Sequence, residues 1–128
     1  MKINFFKRLF HRLFRGTYIH KSLRLGKDVF IGKSCTIYYS FIKKDAVIGD
    51  GVIVWDYAHV GERTVVNNNA VIGAFSRIGD DCVIGKDVII GEHVYISRGS
   101  IIADGVNIAD DIYVPVGKEV KESIISRN

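Results

Sequence analysis

The sequence predicts an all-β solenoid of short parallel strands, and three observations predict it. The first is a beat of six. Every sixth residue from Ile42 to Val120 is Val or Ile, 14 in succession, in a chain of which about a quarter is Val or Ile. A fixed short period of this kind marks a solenoid. The second is the company the beat keeps. The next residue is often Gly (Gly49, Gly61, Gly73, Gly79, Gly85, Gly91), and the fourth after it is small or β-branched from Ala46 to Ile112. The third is the period itself: α-helical faces recur at 3.6 residues, whereas a six-residue unit suits a short Val- and Ile-rich strand and a bend of Gly, Asn or Asp.

The elements follow in order. Residues 1–24 form a basic arm. "MKINFFKRLFHRLFRG" places Ile3, Phe6, Phe10 and Leu13 on one side of a helix and Lys7, Arg8, Arg12 and Arg15 on the other, with Gly16 as its stop. Residues 1–27 hold eight bases and no acid, while residues 28–128 hold ten bases and 14 acids, so the net +4 belongs to the arm. Such a helix suits contact of residues 1–16 with an anionic membrane surface, or a lid over the open end of the solenoid. It carries no nucleic-acid reader motif.

Residues 25–117 form the repeat. Leu25, Ile31 and Ile37 keep the spacing, and one residue is missing before Ile42. Lys118 breaks the row of small residues and Pro115 precedes it, so 118–128 is a tail.

The unit matches [Ile/Leu/Val]-Gly-x-x-[small]-x and resembles the hexapeptide repeat of the left-handed parallel β-helix. That resemblance covers about residues 25–117 and implies three units per coil and about five coils. The left-handed crossover, rare among parallel strands, is implied by the resemblance alone. Residues 18 apart then stack about 4.8 Å apart. Cys35 and Cys82 fall in inward slots on different faces and are expected as core residues, with no disulfide and no zinc pattern. The residues before each beat face outward. Val47, Val65, Val83 and Ile101 make one aliphatic stripe, and Ile53, Val71 and Ile89 another. Contiguous stripes of this kind mark an interface, and the family implies a homotrimer.

Members of this repeat family are mostly acyltransferases that use acetyl-CoA. "VWDYAHVG" is similar to a Trp-x-x-x-His segment of nucleotide-sugar acetyltransferases, and "NNNAVIG" echoes an Asn-Asn pair in some of them. The resemblance implies transfer of acetyl from acetyl-CoA to a hydroxyl or amine of a sugar or sugar nucleotide, in surface-polysaccharide or glycan synthesis. That chemistry needs a base for the acceptor's proton and a donor for the oxyanion. Of the histidines, only His59 and His93 lie in the repeat. His59 is the preferred base, with Arg77 on the next coil to keep it neutral and Asp56 to orient it. His93 sits at a bend between Phe75 and Asp111. Trp55, with Gly73 and Gly91 stacked beyond it, suits a sugar or adenine ring, or an interface anchor. Tyr57, Arg77 and Tyr95 are further candidates for binding substrate or coenzyme. Asn68, with Asn67 and Asn69, is a bend or an amide contact to substrate.

The sequence also departs from its relatives. Asp80 stands where a related group carries its base histidine, and no Gly-x-Pro-Ala element closes the coenzyme site. Two body histidines do not make a three-His zinc site, and no metal is expected. A second reading is therefore a non-catalytic β-helix, a scaffold or partner subunit tethered through its basic arm. The low cysteine count and the charges interrupting each apolar run near the N-terminus point to a cytoplasmic protein, peripheral at the membrane if the arm binds there.

Overall fold

A computed structural model describes residues 16–126. Within them the chain winds as a three-sided parallel β-solenoid of 18 two-residue strands, from Tyr18–Ile19 to Glu119–Val120. Each face is a six-stranded parallel sheet, and the sheet neighbours are strands n and n+3. The outward residues define the faces. The first carries Tyr18, Thr36, Ile53, Val71, Ile89 and Asn107. The second carries Arg24, Phe41, His59, Arg77, Tyr95 and Tyr113. The third carries Phe30, Val47, Val65, Val83, Ile101 and Glu119.

All 14 beat residues from Ile42 to Val120 are buried, as are the small residues between them from Ala46 to Ile112. The core is narrow, so the second slot takes Ala, Ser, Thr, Cys or Val from Ala46 to Val106, and Ile only at Ile112. Where it takes a hydroxyl, the group bridges coils. Thr64 Oγ1 donates to Gly79 O (2.7 Å) and accepts from Cys82 N (3.1 Å). Ser76 does the same with Gly91 O (2.6 Å) and Val94 N (3.0 Å). Cys35 and Cys82 are buried, unbridged core residues as expected. Burial pushes the Cys82 thiol up.

Glycine follows the beat for want of space. A Cβ on Gly61 would overlap the backbone of Gly79, and one on Gly73 would overlap the carbonyl of Gly91. The corners have a different requirement: the third residue after most beats has a left-handed backbone, with φ near +60°.

Two expectations are revised. The solenoid has six coils rather than five. Ile19 lies one unit before Leu25 and starts it in the segment expected as arm. The solenoid's last two-residue strand is Glu119–Val120, with Lys118 exposed just before it, and a single parallel bridge from Ile108 to Ile124 follows. The missing residue shortens one corner to Tyr38, Tyr39 and Ser40, so pairing across it is 17 residues (Arg24 with Phe41) and returns to 18 thereafter (Phe41 with His59). The helix expected over 1–16 lies outside the described residues except for Gly16. Among the described residues no helix is long and apolar enough to cross a membrane.

Candidate functional site

The second face and its two corners hold most of the candidate residues. His59 is half-buried in the third rung of that face, hydrogen-bonded into the sheet through its own N–H to Ser76 O (2.9 Å). Its imidazole stacks on Phe41 one coil below, with centroids 4.5 Å apart and planes 19° apart. Arg77 is its partner one coil above. Burial first, then Arg77, then Lys43, hold the His59 pKa below the ordinary 6.5. Each disfavours the imidazolium. His59 is therefore a neutral imidazole at neutral pH, the form a general base needs.

Asp56 does not take the role expected of it. Its Oδ1 accepts from Tyr39 N at 3.3 Å, on the coil below. Among the described residues no hydrogen bond or ion pair joins it to His59. The bond belongs to the repeat: Asp80, Asp104 and Asp110, each two residues after a beat, accept in the same way from the backbone N–H of Glu62, Lys86 and Glu92 one coil below.

Trp55 and Tyr57 flank Asp56 at the corner between the first and second faces. Trp55 is 41% exposed and stacks on Tyr38 (4.9 Å, 12°). Tyr57 belongs to a column of rings that climbs one coil at a time: Tyr39, Tyr57, Phe75, His93. The centroid separations are 5.4, 5.1 and 5.2 Å. His93 is thus the top of an aromatic column, exposed, two coils above His59 and on a different edge. The two histidines do not share a site. Tyr95 lies on the second face beyond Arg77 and stacks on Tyr113 (5.5 Å).

Asn68 lies at the opposite corner, between the third and first faces. Its Oδ1 accepts from Asp50 N at 2.9 Å. Asn67 donates through Nδ2 to Ile84 O at 2.9 Å, and Asn69 takes the left-handed conformation with φ of 63°. The three asparagines hold a bend.

The site also includes residues that sequence reasoning passed over. A groove of about 520 Å³ runs beside His59 and is lined by Arg24, Phe41, Lys43, Lys44, Glu62 and Arg77, among others. It continues along the corner past Gly61 and Gly79 to Tyr95, Arg98 and Tyr113. Lys43 occupies a post-beat position where glycine is usual, and Gly61 and Gly79 above it leave a side-chain-free floor. Counting the second-face row down past His59, with 17 rather than 18 at the short corner, would have found Phe41 and Arg24. No cluster of three or more His, Cys, Asp or Glu residues suited to a metal occurs among the described residues.

A single-chain, three-sided β-solenoid with a half-buried histidine over a basic groove is the class that this fold and site define. The family model described as the GMPPB C-terminal domain matches residues 13–113, and the chain belongs to that family. No curated protein matches it. Among solved structures it is similar to a histidine-to-alanine variant of GDP-perosamine N-acetyl transferase from Caulobacter crescentus, in complex with CoA and GDP-perosamine. Identity is 18% over 85% of this chain and 51% of that one, with a TM-score of 0.77. The asparagine variant of the Caulobacter crescentus enzyme, also with CoA and GDP-perosamine, is 18% identical over 96% and 63%, with a TM-score of 0.77. The acetyltransferase domain of PglB from Neisseria gonorrhoeae FA1090, in complex with acetyl coenzyme A, is 19% identical over 82% and 54%, with a TM-score of 0.74. The chain spans between 51% and 63% of these proteins' lengths. At such identity the likeness establishes the shared fold.

Proposed function

We propose that the protein is an acetyltransferase that takes acetyl from acetyl-CoA and delivers it to a hydroxyl or amine of a sugar or sugar nucleotide, in glycan synthesis. The observation that carries this reading is His59: a half-buried imidazole, held neutral by burial, Arg77 and Lys43, that faces an open groove. In the proposed step its unprotonated nitrogen takes the acceptor's proton as the acceptor oxygen or nitrogen attacks the thioester carbonyl. The C–S bond then breaks and the thiolate of CoA leaves, receiving the proton from the imidazolium. The fold shared with CoA-bound acetyltransferases supports it.

The assembly in this reading is a homotrimer. The aliphatic residues of the first and third faces, among them Ile89, Val83 and Ile101, are exposed on the single chain, and packing three prisms would cover them. Location in the cytoplasm, with residues 1–16 resting on an anionic membrane, completes the proposal. A non-catalytic β-helix is the second reading, favoured by Asp56, which is engaged with Tyr39 and leaves His59 without a carboxylate to orient it.

The test is acetyl-CoA turnover with a panel of amino and hydroxyl sugars and their nucleotides, using the assembled protein and His59→Ala. Turnover lost in the variant supports the enzyme. An assembled protein that neither binds nor turns over acetyl-CoA sinks it in favour of the scaffold.

A further inference from the structure

The imidazole of His59 is oriented by stacking rather than by hydrogen bonds. Among the described residues, neither of its ring nitrogens is hydrogen-bonded to the protein. The carboxylates around it are engaged elsewhere. Asp56 Oδ1 accepts from Tyr39 N (3.3 Å), Asp80 Oδ1 accepts from Glu62 N (2.8 Å), and Glu62 Oε1 lies 3.6 Å from Lys44 Nζ. The ring that does lie against the imidazole is Phe41, with centroids 4.5 Å apart and planes 19° apart.

Phe41 is itself held from several sides. From the coil below, Arg24 places its guanidinium carbon 5.8 Å from the ring centroid. The edge of Tyr39 meets the ring at 5.6 Å and 75°. Tyr39 is in turn edge-on to Tyr57 (5.4 Å, 70°) and to His20 (5.8 Å, 79°). The backbone fixes the register: Phe41 and His59 are paired residues of adjacent strands, and Phe41 N–H donates to Ala58 O at 2.9 Å. The ring beneath the imidazole is therefore part of a packed cluster.

Such a ring can do by contact what an orienting carboxylate does by hydrogen bonding. Rotation of an imidazole about its Cβ–Cγ bond is soft, with two broad wells. A parallel ring at stacking distance favours the two settings, half a turn apart, that keep the planes together. It also covers one face of the imidazole with carbon, and burial is the first of the causes that keep His59 neutral. Phe75 stacks under His93 in the same way (5.2 Å, 9°), on a different edge, and serves as a control.

We infer that Phe41 is the positioning residue of His59, holding the imidazole in one plane at the groove where no carboxylate orients it. The inference rests on the reading of His59 as the base, and part of its test needs no acyl transfer.

The experiment joins NMR of the histidine ring C–H signals to steady-state turnover of acetyl-CoA, both on the full, assembled chain. The His59 signals are identified by their loss in His59→Gln. Phe41→Leu keeps an apolar side chain and removes the ring, Phe41→Tyr keeps the ring, and Phe75→Leu removes the stack under His93. Thermal melting checks that each folds. Protons over the face of an aromatic ring resonate upfield, so the wild-type His59 signals should lie upfield of those of a free histidine. Phe41→Leu should return them toward the free values and lower kcat about tenfold or more, with KM little changed. Phe41→Tyr should keep both the shift and the turnover. Phe75→Leu should move the His93 signals and leave those of His59, and kcat, as they are. A wild-type His59 without the upfield shift overturns the inference with no variant needed. So does an undiminished kcat in Phe41→Leu, or an equal loss in Phe75→Leu. A wild type that turns over no thioester sinks the acetyltransferase reading, and the NMR comparison of Phe41→Leu with Phe41→Tyr then decides by itself whether Phe41 holds the imidazole.

Discussion

The second face and the other two faces are built on one backbone and carry opposite chemistry. On the first and third faces the outward column is mostly Val and Ile, the residues that strand propensity favours. On the second it is Arg24, Phe41, His59, Arg77, Tyr95 and Tyr113. The corners repeat the contrast. Between the third and first faces the left-handed positions are Ser34, Gly51, Asn69, Asp87 and Gly105; between the first and second they include Tyr57, Phe75 and His93, with φ of 61°, 62° and 55°. A bulky residue at positive φ is an outlier that costs roughly 1–2 kcal/mol. The fold needs a left-handed residue at all three corners. The corner between the second and third faces places Arg63 there as well, with φ of 55°, but at the corner between the first and second faces the rings stack, which partly offsets the cost. Where side chains serve the backbone they follow the repeat, and where they break the repeat they mark a surface with another task.

Substitutions can break this contrast. The largest effect is expected at His59. His59→Ala should lower acetyl transfer by about 10²- to 10⁴-fold, the usual share of a general base, with little change in melting temperature. Ile72→Ala, at a fully buried beat position, should do the reverse. It should cost about 2–5 kcal/mol of stability in denaturant titration and act on turnover only through unfolding.

The aliphatic faces come next. Ile89→Asp places a charge on a residue 48% exposed in the single chain. The expected outcome is dissociation to monomers in sedimentation velocity, from loss of about 2 kcal/mol per buried side chain. Tyr95→Asp on the second face should leave the assembly intact. If neither changes the assembly, or the wild type is a monomer, the faces do not differ in this way.

The corner contrast gives a smaller effect. Phe75→Ala loses the stack with Tyr57 and His93 and keeps the backbone strain, whereas Phe75→Gly loses the stack and relieves the strain. Chemical denaturation should find the glycine variant the more stable of the two by about 1 kcal/mol. Equal stabilities would remove the strain from the account.

The smallest effect is in pH. The folded protein holds the His59 pKa below 6.5, so activity should rise with pH through a limb below 6.5 and level off above it. Arg77→Gln should move that limb up toward 6.5, and added salt should move it the same way. The stability sign follows. Below 6.5 the unfolded chain takes up protons that folded His59 resists, so stability falls as pH drops from 6.5 through the folded pKa and is unaffected above. A limb that ignores Arg77 would remove that residue from the electrostatics of the site.

Legibility differed by level. The beat, the small slots and the outward columns were readable because a six-residue period fixes which side chains point inward, whatever the handedness or the exact ends. His59, Arg77, Tyr95 and Trp55 were readable as exceptions to it. Asp56 was misjudged because a distance of three residues along the chain says nothing of direction at a bend. Its carboxylate takes a backbone N–H of the coil below, as Asp80, Asp104 and Asp110 do at the same place in the repeat. The coil count fell short because Ile19 lies in a basic stretch and Lys118 interrupts the row of small residues, although both ends keep the spacing.

By itself, then, the sequence determined the solenoid: a narrow apolar core accepts only a strict alternation of Val or Ile with small residues, and that rule is written residue by residue along the chain. Only the tertiary structure decided what lies beside His59. Arg24, Phe41, Lys43 and Arg77 are scattered over 54 positions (24 to 77), and they line one groove because stacking brings residues a coil apart side by side across a register that one missing residue resets.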